Sequence, residues 1–183
     1  ELLAAHPVDR FGCTLCHGGQ GWATEQQAAH GEAEFWEEPL LDSQRAKSYG
    51  LTQAELLELR CNTCHRDQEQ VEGMPLLNAA KALFKAKKCT ACHGLNGGGG
   101  TTGPDITFEG DMPGDHLVFP PELRGPRTAL AWHAEHIRSP ASMVPDSSMK
   151  VYNFDKAQAL SLALLVRSWR RLALPPAWLP ARR

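Results

Sequence analysis

Apolar residues recur at helical spacing in the C-terminal half of the chain. Over residues 78–88, Ala79, Ala82, Leu83 and Ala86 share one face with lysines opposite, which predicts a helix running straight into Cys89. Residues 128–138 predict a second helix, stopped at Ser139-Pro140 because the residue before a proline is driven out of the helical region. Asp155 caps a last amphipathic helix reaching about Leu172. In the N-terminal half, Thr52-Gln53-Ala54-Glu55 has the form of a capping box, and Leu51 and Leu56 can staple it. That helix, expected through Leu59, delivers Cys61; a further helical stretch is expected over 24–36, interrupted near His30-Gly31.

Composition fits a mainly α fold with long loops. The 183 residues suit one compact domain or two small ones, and 16 glycines with 13 prolines imply much loop and little regular sheet. A formal charge of −2 gives no basic surface for nucleic acid. No apolar run approaches the length of a membrane span.

Three copies of Cys-x-x-Cys-His use all six cysteines: Cys13-Cys16-His17, Cys61-Cys64-His65 and Cys89-Cys92-His93. This is the attachment signature of c-type haem. Two thiols three apart add to the two vinyl groups of one porphyrin, and the adjacent histidine places Nε2 on the iron as proximal ligand. A Cys₄ zinc centre would pair two such units and leave the third unpartnered, and a thioredoxin-like motif needs a βαβ context that is absent. Six cysteines also permit a disulfide framework, which leaves the histidine after every second cysteine unexplained. Three covalently bound haems are therefore expected, supplying much of the buried apolar surface a modest polypeptide core lacks. Their propionates should make the holoprotein more acidic than the chain.

The order of pieces from about Asn78 to Leu172 resembles a class I cytochrome c domain. A first helix is followed by Cys89-Thr90-Ala91-Cys92-His93-Gly94, Gly103-Pro104-Asp105-Ile106, a helix carrying Trp132 and ending in Ser-Pro, the loop Pro145-Asp146-Ser147-Ser148-Met149, and a C-terminal amphipathic helix. The resemblance implies His93 as proximal and Met149 as distal ligand, with the Pro104 carbonyl accepting a hydrogen bond from the other His93 ring nitrogen. Lys150 stands where the family often has proline, which leaves Met143 as the alternative to Met149. It also implies that Phe84 and Trp169 pack the first and last helices together.

The expected division is a diheme segment over 1–77, a monohaem class I domain over 78–174, and a Pro-rich tail over 175–183. The surroundings of Cys13 and Cys16 resemble bacterial multihaem cytochromes in which a downstream histidine is the distal ligand. If all irons are saturated and Met149 serves one, two sixth ligands remain to be found among His6, His30, His116, His133 and His136. His6 and His30 flank the first motif and are the candidates, with neither assigned to a particular haem. His116 reads as a loop histidine and His133 and His136 as packing or surface residues. Met74 is a lesser candidate for the second haem.

These readings describe a carrier of single electrons with no catalytic residues, passing them between a protein donor and a protein acceptor. Two bis-His haems would feed a His/Met haem of higher potential, since thioether sulfur favours Fe(II). Lys81, Lys85, Lys87 and Lys88 form either a solvated face or a patch that steers an acidic partner. The alternatives are a multihaem enzyme with one open iron, or a subunit associated with a membrane complex through the tail or the long 108–126 segment. Haem attachment outside the cytoplasm implies a periplasmic or extracytoplasmic location. The opening Glu1-Leu2-Leu3 lacks a basic n-region and a signal core, and reads as a mature form or a fragment whose signal or anchor lies upstream.

Overall fold

In the computed structural model, which describes residues 2–12, 15, 25, 43–121, 123, 125–171 and 174–180, regular structure is almost entirely helical. Contacts divide the chain into two units, Glu1–Cys61 and Asn62–Arg183. The boundary expected at 77/78 separates haem motifs; this one separates packing.

The first unit holds α1 (Leu2–Ala5), α2 (Val8–Phe11), α3 (Ser43–Ser48) and the start of α4 (Gln53–His65). The Thr52 box forms: Thr52 N donates to Glu55 Oε2 at 2.8 Å and Glu55 N donates to Thr52 Oγ1 at 3.2 Å. The helix does not stop at Leu59. It continues through the second Cys-x-x-Cys-His to His65, because no glycine or proline interrupts the chain before Gly73. The stretch expected over 24–36 lies outside the described residues, apart from Glu25.

The second unit is built on α5 (Pro75–Ala86), α6 (Ala129–Arg138), the short α7 (Pro140–Met143) and α8 (Lys156–Arg167), with α8 packed on both α5 and α6. Each start has a local cause. Pro75 opens α5 at a position where the missing N–H costs nothing, Thr128 Oγ1 accepts from Ala131 N at 3.2 Å, and Asp155 with Gln158 closes a full capping box. Helix α8 ends at Arg167, short of Leu172, yet Ser161 to Trp169 are all buried. Leu77 and Ala80 from α5 and Leu130 from α6 are at most 3 % exposed, and each large apolar side chain so enclosed contributes about 1.5–3 kcal/mol. Phe84 and Trp169 meet edge to face at 5.1 Å between centroids.

A two-stranded antiparallel ribbon, β1 (Gly94–Leu95) and β2 (Gly98–Gly99), follows the third motif. The long segment after Phe108 is anchored beneath α8. Arg167 Nη1 donates to the carbonyls of Glu109 (2.7 Å) and Met112 (3.0 Å), and Gly110 N donates to Trp169 O at 2.9 Å. Among the described residues no helix is long and apolar enough to cross a membrane.

Candidate haem centres

The third motif sits on a single tight turn. Lys88 adopts a left-handed backbone (φ 53°), ending α5 sharply and opening a 3₁₀ turn over Cys89–Ala91. Cys92 N and His93 N both donate to Cys89 O, at 3.2 and 3.1 Å, so the thiols and the imidazole leave one turn together. Burial pushes the Cys89 thiol up to about 11.

His93 is oriented from two sides. Its Nδ1 lies 3.0 Å from the Pro104 carbonyl oxygen. A carbonyl only accepts, so the proton is on Nδ1 and the Nε2 lone pair is left for a metal. Gly103 lies against the ring: a Cβ there would come within 2.7 Å of His93 Cε1. Gly99, at φ +93°, crosses the His93 carbonyl so closely that a Cβ would lie 2.3 Å from it. The glycine-rich loop therefore holds both the backbone and the ring of the motif histidine.

The second motif shows the same logic with different atoms. His65 Nδ1 lies 2.5 Å from Gln68 Oε1, an acceptor, which places the ring proton on Nδ1. Lys81 Nζ, from α5, donates to the carbonyls of His65 (2.6 Å) and Gln68 (2.5 Å) at the end of α4. Burial pushes Lys81 down to about 8, opposed by the Asp67 charge. Asn62, 0 % exposed, donates through Nδ2 to Ser168 Oγ at 2.7 Å. This turn is thus tied to both α5 and the end of α8. No local pattern marks Gln68 or Lys81 as partners of a motif histidine.

Of the first motif, Cys13, Cys16 and His17 lie outside the described residues, as does His30. His6 is half-buried at the bend between α1 and α2, 5.7 Å from the Phe11 ring. Met143 in α7 is enclosed by protein at 4 % exposure, whereas Met149 is partly exposed on the loop before α8. His116 is exposed.

His133 is buried and bonded at both ring nitrogens. Nδ1 donates to Ala129 O at 2.7 Å, and Nε2 lies 2.9 Å from Glu109 Oε1. The Ala129 carbonyl can only accept, so Nδ1 carries a proton, and Nε2 meets the Glu109 carboxyl group. His136, one turn on, stacks on Trp132 at 4.9 Å. Burial holds it below its ordinary value, with the charges of His133 and His93 acting the same way. Trp132 Nε1 donates to Val118 O at 2.8 Å, securing the long segment at its far end.

The expected lysine face is partly consumed. Lys81 turns inward, Lys85 pairs with Glu69 at 2.5 Å, and Lys87 lies over the Phe154 ring at 5.8 Å. Among the described residues no cluster of three or more His, Cys, Asp or Glu could hold a bare metal ion. Both described motifs instead present what a c-type haem requires: two cysteines three apart, and a following imidazole with its Nδ1 proton committed to oxygen.

Two family models match the chain. The model described as "Cytochrome c" matches residues 77–169, and that described as "Cytochrome c7 and related cytochrome c" matches residues 3–94, so each spans half of the chain and both include the third motif. No curated protein and no solved structure matches. The chain belongs to the cytochrome c family: it is a mainly α c-type cytochrome that uses covalently attached haem to transfer electrons.

Proposed function

We propose that this cytochrome carries three haems and passes single electrons between extracytoplasmic protein partners, with every iron six-coordinate. The observation that carries this reading is the repetition of one motif three times, with both described motif histidines held through Nδ1 by oxygen acceptors. Haem supplies the one-electron Fe(III)/Fe(II) couple; the chain's part is to hold, orient and shield it. The match of residues 3–94 to cytochrome c7 and related proteins supports haem sites in the first half as well as the second.

Cys13 and Cys16, Cys61 and Cys64, and Cys89 and Cys92 would bond the three porphyrins, with His17, His65 and His93 as proximal ligands. Met149 would cap the third haem. It lies past the Pro145 turn and is partly exposed, whereas the Met143 side chain is already enclosed by protein. His6 and His30 would cap the other two. Thioether ligation places the third haem at the highest potential, so electrons would enter through the first half and leave from the second.

Intact-mass measurement of the holoprotein tests the count. Three haem increments are expected, each mapping to one Cys-x-x-Cys-His peptide, and one or two increments would contradict the reading. A redox titration finding the third haem lowest in potential would contradict the direction of flow.

A further inference from the structure

Beside Cys64 the second unit opens into a cleft of about 410 Å³. Its lining combines the apolar side chains of Phe108, Leu179 and the prolines of the C-terminal tail with the polar side chains of Arg66, Arg170, Asp67 and Gln68. Arg66 is the unusual member. Its Nη2 donates to the Thr107 carbonyl at 2.8 Å and its guanidinium lies 5.9 Å from the Phe108 ring centroid, so the side chain is fixed. Yet its Nε is enclosed with no hydrogen-bond partner. Arg170, just past α8, brings a second guanidinium to the same space, against the single carboxylate of Asp67.

We propose that Arg66 and Arg170 bind the propionates of the haem attached to Cys61 and Cys64, with the Pro-rich tail covering its apolar edge. The inference rests on the reading that this motif carries haem. Covalent reach allows it, since a porphyrin bonded to Cys64 Sγ would start from a residue that lines the cleft and would carry its propionates across the ring from the thioether bonds. The chemical match supports it too. Haem c presents an apolar ring and two carboxylates, and the cleft presents apolar side chains and two guanidiniums, the group best shaped for bidentate carboxylate recognition. The tail is then part of a haem site, and Pro176, Leu179 and Pro180 exclude water from it.

The test uses the holoprotein and its Arg66→Gln, Arg170→Gln, Arg66→Lys and Arg170→Lys variants. Each is followed by potentiometric titration of the individual haems, resonance Raman of the propionate bending bands, and peptide mass mapping. Removing either guanidinium leaves propionate charge unneutralised, which favours Fe(III). One haem's oxidised-to-reduced ratio at fixed potential should rise about tenfold, a fall of about 59 mV for one electron, while the others stay put. Its propionate bands should shift, and the lysine variants should restore the potential in part. Arg170→Gln leaves the Thr107 tether of Arg66 intact, so the test survives a folding defect in Arg66→Gln. Wild-type potentials and bands in Arg170→Gln, with haem mapped to the Cys61–Cys64 peptide, would overturn the proposal and spare the reading beneath it. So would a response to added inorganic phosphate that the glutamine variants lose without any change in propionate bands, because the cleft would then bind a free anion. A wild-type peptide without haem would overturn both.

Discussion

The ammonium of Lys81 sits 2.6 Å from the carbonyl oxygen of His65. A residue from α5 thereby closes the C-terminus of α4, the helix that carries the second Cys-x-x-Cys-His. Helix ends leave carbonyls unsatisfied and slightly negative, so a cation placed there answers both needs. Lys81→Met should keep the packing of the side-chain stem and lose these bonds. The expected cost is about 1–2 kcal/mol, reduced from that of a fully buried charge by the partial exposure of Lys81, and is read by denaturant unfolding of the second unit. A midpoint equal to wild type would show that the bonds are not formed.

Gly103→Ala tests the cradle of His93. The new methyl would fall 2.7 Å from His93 Cε1 and 2.8 Å from its Nδ1, closer than a Cβ can stand without the ring moving. Displacing the ring should cost about 1–3 kcal/mol and weaken the third haem's axial bond, visible as a high-spin component in its absorption spectrum. An unchanged spectrum would place the ring elsewhere.

Glu109 and His133 are buried together, with side-chain exposures of 11 % and 7 %. Glu109→Ala should cost about 1–3 kcal/mol, since the buried Nε2 of His133 would be left without its hydrogen-bond partner. Glu109→Gln should cost much less, because the amide can donate to Nε2 of a neutral His133. Equal losses in thermal unfolding for the two variants would refute this pairing.

His136 gives a pH dependence with a definite sign. Burial lowers its folded value below the ordinary 6.5 of the unfolded chain, so between the two the unfolded state binds more protons. Stability from this group is fully present above about pH 6.5 and is lost as pH falls through that value toward the folded one. His133, Glu109 and His93 face it, so the comparison is between wild type and His136→Asn over the same range. The wild type should lose more stability on acidification from neutral pH, and parallel curves would contradict the assignment.

The helices of the second unit were legible because their signals are local. The face of Ala79, Leu83 and Ala86, the cap at Asp155, and the break at Ser139-Pro140 each act within a few residues. The continuation of α4 through Cys61 and Cys64 was not, since a haem motif reads as an interruption while its residues tolerate helix. The partnerships that dress the site span distances no pattern encodes. Lys81 meets His65 sixteen residues away, Glu109 meets His133 across twenty-four, and Asn62 meets Ser168 across one hundred and six. Arg66 carried no signal at all, because only packing reveals that its Nε is enclosed and unpaired.

Low-temperature EPR of the fully oxidised holoprotein decides whether this electron carrier holds three saturated haems. Three low-spin ferric signals are expected, two of bis-histidine type and one of histidine–methionine type. A stoichiometric high-spin signal would contradict that, revealing an open iron and a site built for chemistry on a bound ligand.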